Sequence, residues 1–570
     1  MVNRGKYMEN VKIVLAGQAG QGIQTVEALV IKSLKKDNYA LFATKEYMSR
    51  VRGGINTTTI IVGNEEVDYY EKHIDILFVF TKGSKEWLKD RIGDSTIIIG
   101  SHDMISSENF AGKICEVPLN SLAEEIGGLI YINTIVSGII LGLFSENKKI
   151  LEEVIKETFK DKTNEILINN IKAVEVGYDY ARKLKESFSL SIDIQRKEEI
   201  NGKLLIKGSE AVGLGALASN CNLVSYYPMS PGTSVAEFLV RYMDDFNIVV
   251  EQFEDEIAAA NAMLGAWYAG GRGMVTTSGG GFALMVEAVS LSGMAETPAV
   301  IHLGQRPGPA TGLPTRTAQS EIFMVLGAGH GEFPRAVYTP GSVNELFYLT
   351  AKAFEVADKY QIPSFILTDQ FILDTYYIVE PFDLNKINTK SYAEIVNEDY
   401  KRYEYTETGV SKRAIPFDSK SVVIYNGNEH DEYGDIIEDS FHSKAMQEKR
   451  MKKLLYLKEE SIPPKLVGSD KSENIIICWG STFNTILEAV KRLKNNNVAI
   501  CHFSQVYPLR DDWKNMFLNK RIISIEGNIS GQLADLISMV YKLDIYKKIL
   551  KYDGRPFSVE EVMLELEKII

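Results

Sequence analysis

Four times along the chain a short apolar, β-rich run stops at a glycine and gives way to a helical pattern. These are "VKIVLAGQAGQGIQT" from Val11, "KLLIKGSEAVGLGALASN" from Lys203, "MVTTSGGG" from Met274 and "NIIICWGS" from Asn474. A helix returning the chain across a sheet leaves the next strand parallel to the last, so this repeat dictates an α/β architecture. Further strand-like runs fall at Thr58 to Val62, Ile74 to Phe80 and Ser95 to Ile99. A second set follows in "IVVEQ", "AVIHLG", "RAVYTP" and "PSFILTD", and a third in "NVAICHFSQVYPL" and "RIISIEGNISGQLADLI". The expectation is three doubly wound parallel-sheet domains, at residues 1–195, 200–378 and 471–570. Residues 379–470 turn charged and aromatic and read as a connecting arm, with a basic amphipathic run, "SKAMQEKRMKKLLYLKEE".

The 570 residues suffice for about three or four domains. A net charge of −13 argues against nucleic acid or an anionic membrane surface as the main partner. Cys115, Cys221, Cys478 and Cys501 stand far apart with no Cys-x-x-Cys pair, so the chain encodes neither a disulfide framework nor a metal or iron–sulfur site of its own. The run "YINTIVSGIILGLF" from Tyr131 carries Asn133, Thr134 and Ser137 and is too short to span a bilayer, and "MVNRGKYMEN" has no hydrophobic signal region. A soluble, cytoplasmic protein is expected.

Two stretches stand out as chemistry. Gly17, Gly20 and Gly22 run in the reverse of the dinucleotide fingerprint, which gives a nicotinamide cofactor little support. The amides there could hold a phosphate, or the glycines could make only a tight turn. In "EQFEDEIAAANAMLGAWYAGGR", Glu251, Glu254, Asp255 and Glu256 run straight into a helix of alanine and glycine. Acids in a first turn complement the helix dipole, which accounts for any one of them. The small side chains that follow suit a helix pressed closely against something else.

In order, these segments resemble the α subunit of a 2-oxoacid:ferredoxin oxidoreductase with the γ domain fused at its N-terminus. The likeness rests on Tyr227-Pro228-Met229-Ser230-Pro231, "TTSGGGFALMVEA" from Thr276, "AETPAVI" from Ala295, "ATGLPTRTAQSE" from Ala310 and "GHGEFPR" from Gly329. "GQAGQGIQT" with "EYMSRVRGG" from Glu46 is similar to the γ domain, and "IEGNISGQLA" from Ile525 to the transketolase-like third domain. The resemblance implies a Rossmann-like γ domain, a thiamine-enzyme pyrimidine-binding domain and a transketolase C-terminal-like domain. It further implies thiamine diphosphate, with Glu256 contacting N1′ of the aminopyrimidine and Tyr227 and Pro228 lining the cofactor. Ser230, which stands where the family has Thr, and Arg316 would hold the carboxylate of the 2-oxo acid, with Arg306 sharing the task or ordering its loop. Gly17, Gly20 and Gly22, with Arg50 and Arg52, would hold the phosphates of coenzyme A.

The chain lacks the Gly-Asp-Gly motif with which thiamine enzymes hold the diphosphate through Mg²⁺. The resemblance therefore places Mg²⁺ and a 4Fe-4S cluster on a partner β subunit, in a dimer of αβ heterodimers that passes electrons to ferredoxin, and assigns no metal to this chain. Oxidative decarboxylation of 2-oxoglutarate with CoA is the first expectation. Pyruvate, a branched-chain 2-oxo acid and a non-catalytic CoA- or partner-binding paralogue remain alternatives.

Overall fold

The computed structural model describes residues 10–49, 53–188, 190, 192–397 and 399–570. The chain divides into two compact units, Met1–Ile206 with Thr375–Pro381, and Lys207–Asp374 with Phe382–Ile570. The three large sheets belong to α/β layers, as the strand–glycine–helix repeat requires.

In the first unit the strand Asn10–Gly17 is the pivot of a mixed sheet. It pairs in parallel with Ile76–Val79, which leads outward to Ile97–Gly100 and Lys113–Glu116. On its other side it pairs antiparallel with Asn56–Gly63, which in turn lies antiparallel to Ala40–Glu46. The antiparallel half follows from chain length. The link from Glu46 to Asn56 is shorter than the dozen or so residues a parallel crossover needs, so only a hairpin-like return is open to it. Alternation sorts the pivot strand between two cores. Val11, Ile13 and Leu15 join Leu29, Ile135 and Val174, while Val14 and Ala16 join Leu77, Ile98 and Ile105. The apolar run from Tyr131 forms the helix Ile132–Phe144, buried from Thr134 to Leu143. Among the described residues no single helix is long and apolar enough to cross a membrane.

The second unit holds two large sheets, besides a short pairing of Ala393–Glu394 with Arg413–Ala414. The larger has the strand order Gln505–Tyr507, Ala336–Tyr338, Pro363–Asp369, Ala299–Gln305, Gly273–Thr277, Leu223–Tyr226, Val249–Gln252. Every pairing is parallel except that of Gln505–Tyr507. Its strands are near-continuous apolar runs because helices cover both faces. The smaller sheet aligns Val498–Phe503, Asn474–Trp479, Arg521–Glu526 and Lys547–Leu550 in parallel, with Lys465–Val467 antiparallel at one edge.

Between these sheets the chain is largely irregular until the helix Ser440–Glu459, whose N-terminus is capped by Asp439 accepting from the Phe441 and His442 amides at 3.0 Å each. This helix buries cations. Lys449 donates to both carboxylate oxygens of Glu296 at 2.7 and 2.8 Å, and Lys453 lies 2.5 Å from Oε2. Arg402 donates to the carbonyls of Ala295 and Glu296 at 3.2 and 2.7 Å. Burial by itself would raise the Glu296 carboxyl, but Lys449, Lys453 and Arg402 overcome it and hold the group well below the usual carboxylate range.

Candidate active site

Parallel sheets gather ligands at the carboxyl ends of their strands, and the candidate residues fall there on four adjacent strands. Glu256 follows Val249–Gln252, the Tyr227–Ser230 loop follows Leu223–Tyr226, the glycines from Gly279 follow Gly273–Thr277, and Arg306 follows Ala299–Gln305.

The four acids ahead of the alanine-rich helix part company. Glu251 and Glu254 are exposed, and Asp255 is a helix cap, its Oδ1 accepting from the Ala258 amide at 2.7 Å. Glu256, the first residue of the alanine-rich helix Glu256–Tyr268, turns inward and is only 3% exposed. Its Oε1 is buried without a hydrogen-bond partner. A buried carboxylate oxygen left unpaired costs on the order of 1–3 kcal/mol or more, so the fold holds this group at an expense that a bound donor would relieve.

Beside it lies the first turn of the helix Gly279–Met294. A Cβ on Gly281 would stand 2.7 Å from both Cγ and Oε1 of Glu256, so no side chain fits between helix and glutamate. A Cβ on Gly279 would meet Glu321 Oε1 at 2.9 Å. On the side of Gly280 the nearest atoms, Met229 Sδ and the Ala310 carbonyl, are 3.8 Å away. The glycine turn is thus pressed between two carboxyl groups. The Gly281 amide donates to Met229 Sδ at 3.2 Å, tying the turn to the Tyr227–Ser230 loop.

In that loop Tyr227, Pro228 and Ser230 are exposed. The cation in contact with it is Arg306, whose Nη1 donates to the Ser230 carbonyl at 2.6 Å. Arg316 is half-buried and packs beside Gly554, in a segment joined to the smaller sheet's domain by Gln319. The Gln319 amide donates to the Gly527 carbonyl, and its side chain donates to the Trp479 carbonyl and accepts from the Gly527 amide. The structure therefore brings Glu256, the glycine turn, the Ser230 loop and Arg306 together by direct contacts, and sets Arg316 against the C-terminal segment.

Two buried residues here carried no signal in the sequence. Glu321 has Oε2 buried without a partner, and burial, opposed in part by Ser320 and Arg306, pushes its carboxyl up to about 7. His302 bridges Thr276 Oγ1 at 2.8 Å and Thr368 Oγ1 at 2.9 Å, and burial lowers it to about 3. Because Thr276 donates its hydroxyl to the Gly232 carbonyl, a neutral imidazole with hydrogen on Nδ1 satisfies the whole chain. That chain braces the backbone just after Ser230. His330 is bonded to Ser290 and lines a cavity of about 520 Å³ with Glu287, Phe323 and Met324, which Glu256 does not reach.

In the first unit Gly17 ends the pivot strand, and Gly22 precedes the helix Ile23–Lys36 with φ 77°, where a side chain would collide with Asn133. Gly20, at φ 89°, has open space around it. Gln21 braces the turn by accepting from the Gln18 amide at 2.7 Å and donating to the Phe80 carbonyl at 3.0 Å. Arg50 and Arg52 lie outside the described residues.

Residues 214–450 match the family described as "Pyruvate flavodoxin/ferredoxin oxidoreductase, thiamine diP-bdg", and residues 12–180 match "Pyruvate ferredoxin/flavodoxin oxidoreductase". The 2-oxoacid:ferredoxin oxidoreductase subunit alpha of Sulfolobus sp is 30% identical over 98% of this chain and 96% of its own length. The 2-oxoglutarate synthase subunit KorA of Methanocaldococcus jannaschii is 30% identical over 59% of this chain and 91% of its own. A solved structure, the 2-oxoglutarate:ferredoxin oxidoreductase from Magnetococcus marinus with 2-oxoglutarate, coenzyme A and succinyl-CoA bound, superposes with a TM-score of 0.91. It is 26% identical, over 98% of this chain and 99% of that one.

Proposed function

The chain belongs to the 2-oxoacid:ferredoxin oxidoreductases, thiamine-diphosphate enzymes, and on that premise we propose that it is the α-type subunit, with the γ-type portion fused ahead of it, of a cytoplasmic complex that oxidatively decarboxylates 2-oxoglutarate with CoA. The substrate assignment is supported by the likeness to the Magnetococcus enzyme, whose structure holds 2-oxoglutarate and CoA, and to the KorA subunit. A β subunit supplies the diphosphate half of the site with Mg²⁺ and the 4Fe-4S cluster, in a dimer of αβ heterodimers that passes electrons to ferredoxin. This fits four scattered cysteines and the lack of a Gly-Asp-Gly motif here.

One observation carries the proposal: the buried, unpartnered Oε1 of Glu256 beside the glycine turn. An aminopyrimidine ring nitrogen fits it, since it can share a proton with that oxygen and relieve its desolvation. Thiamine diphosphate supplies the nucleophilic carbon and the electron sink that decarboxylation of a 2-oxo acid requires. Glu256 would hold a proton at Oε1 and exchange it with the ring, which demands a carboxyl group and not an amide. Glycines at 279 and 281 let the helix close on both carboxyl groups and keep water from Glu256. Tyr227 and Pro228 would flank the cofactor, and Ser230 with Arg316 would receive the substrate carboxylate, Arg306 fixing the loop from behind. In the first unit the Gly17–Gly22 turn, with Arg50 and Arg52, would hold CoA phosphates.

The test is the native complex. It should be brown and reduce a viologen dye with 2-oxoglutarate plus CoA, faster than with pyruvate or branched-chain 2-oxo acids. Preference for one of those would reassign the substrate. No reduction with any of them, from a complex loaded with cofactor, would leave the non-catalytic paralogue.

A further inference from the structure

We propose that Glu321 is a positioning residue of the carboxylate-binding region: lodged against the first turn of the helix Gly279–Met294 and next to Arg306, its carboxyl group sets how much of the Arg306 charge is available at the Ser230 loop. The proposal rests on the functional reading above.

The geometry places Glu321 between two of the parts that form the site. Its amide donates to Gln305 Oε1 at 3.1 Å, which ties it to the residue preceding Arg306. Its Oε1 accepts from the Ser320 hydroxyl at 3.1 Å and abuts Gly279, while Oε2 is buried without a partner. Arg306, only 9% exposed, spends one N–H on the Ser230 carbonyl. No ion pair joins Glu321 to Arg306 among the described residues, so the two act on each other through space. The neighbouring elements offer Glu321 little else. The helix Gly279–Met294 presents a glycine, the strand Ala299–Gln305 presents Gln305, and the helix Gln532–Tyr541 presents Gln532, which donates to the Ser320 carbonyl. Arg306 is the cation among them, and Glu256 stands across the glycine turn.

A carboxyl group so placed changes charge near neutrality, because burial opposes its ionisation more strongly than Arg306 favours it. While neutral, it leaves the full guanidinium charge to attract an anion at the Ser230 loop. Once ionised, it cancels part of that charge inside a site of low effective dielectric. The KM for the 2-oxo acid should therefore rise as pH passes through about 7, by about tenfold between pH 6 and 8.5, with kcat little changed by this group.

The experiment uses the assembled complex, with kcat and KM for the 2-oxo acid measured from pH 6 to 8.5. Glu321→Gln should flatten the KM profile with kcat within about twofold of wild type, and Glu321→Asp should keep the rise. A profile unchanged by Glu321→Gln would overturn the proposal. A second readout needs neither turnover nor that variant to fold. pH-difference infrared spectra of the wild-type chain without substrate should show a carboxylic-acid carbonyl band lost on passing through about pH 7. Arg306→Gln should move its midpoint upward. Absence of the band, or a midpoint indifferent to Arg306, would overturn the proposal even if the complex oxidises no 2-oxo acid, which separates this failure from failure of the functional reading.

Discussion

A glutamate with one carboxyl oxygen buried and unpartnered is held at a cost, and Glu256 and Glu321 both pay it on opposite sides of one glycine turn. For Glu256 the consequence is sharp. Glu256→Gln keeps the volume and removes the exchangeable proton, so kcat of the complex should fall by about a hundredfold or more while the thermal midpoint holds or rises. Wild-type kcat in that variant would remove Glu256 from the chemistry. The two arginines make a second comparison. Arg316→Ala should raise the KM for the 2-oxo acid by tenfold or more without weakening thiamine diphosphate binding, as loss of a guanidinium–carboxylate contact requires. Equal losses for both ligands would assign Arg316 to structure, and the contact of Arg306 with Ser230 would then make Arg306 the carboxylate ligand. In the sequence the run of four acids ahead of an alanine-rich helix marked the stretch, and the family resemblance, not the pattern, singled out Glu256 among them. Sequence alone could not point to Glu321 or His302, whose importance is burial among residues distant in the chain.

At the scale of elements, the helix Ser440–Glu459 shows where a pattern misleads. Its sequence reads as basic and amphipathic, which suggests apolar residues inward and lysines outward. The fold inverts this at several positions: Lys449, Arg450 and Lys453 are buried, while Phe441 and Leu455 are 73% and 63% exposed. The acceptor that reverses the rule, Glu296, lies more than 150 residues away, so no local window contains both halves of the interaction. Removing that acceptor alone leaves two buried ammonium groups without a counter-charge. Glu296→Gln should cost about 3–5 kcal/mol of stability in denaturant titrations, whereas Glu296→Leu with Lys449→Met and Lys453→Met should recover most of it. A cost below about 1 kcal/mol for the single change would mean that water reaches the cluster. The mixed sheet of the first unit has a similar lesson. Several of its strands were visible as apolar runs, though Ala40–Glu46 and Lys113–Glu116 were not, and the direction of the strands depended on the length of a connection and not on composition.

Across the whole chain, the strand–glycine–helix repeat made three α/β sheets legible, and it did so because glycine is the residue that lets a strand end in a helix packed against its neighbours. The site inherits its place from that repeat, at the carboxyl ends of four adjacent parallel strands. Around it the surface remains partly apolar. Ile257, next to Glu256, is 48% exposed, Leu284 on the neighbouring helix is 51% exposed, and Gly265 on the alanine-rich helix has open space where a side chain would stand. On the proposed reading, a cofactor held here would touch this chain through its ring and would need its diphosphate neutralised by Mg²⁺ from elsewhere. The isolated chain should therefore be colourless and inactive, bind thiamine diphosphate weakly, and self-associate through the exposed apolar residues, whereas co-expression with its β partner should restore colour, cofactor binding and CoA-dependent oxidation together. Isothermal titration of thiamine diphosphate with Mg²⁺ into the chain alone and into the reconstituted pair measures the difference, expected to be at least about a hundredfold in Kd, or close to 3 kcal/mol. Tight, Mg²⁺-dependent binding to the lone chain would show that it carries a diphosphate site of its own, and the division of the active site between two polypeptides would have to be given up.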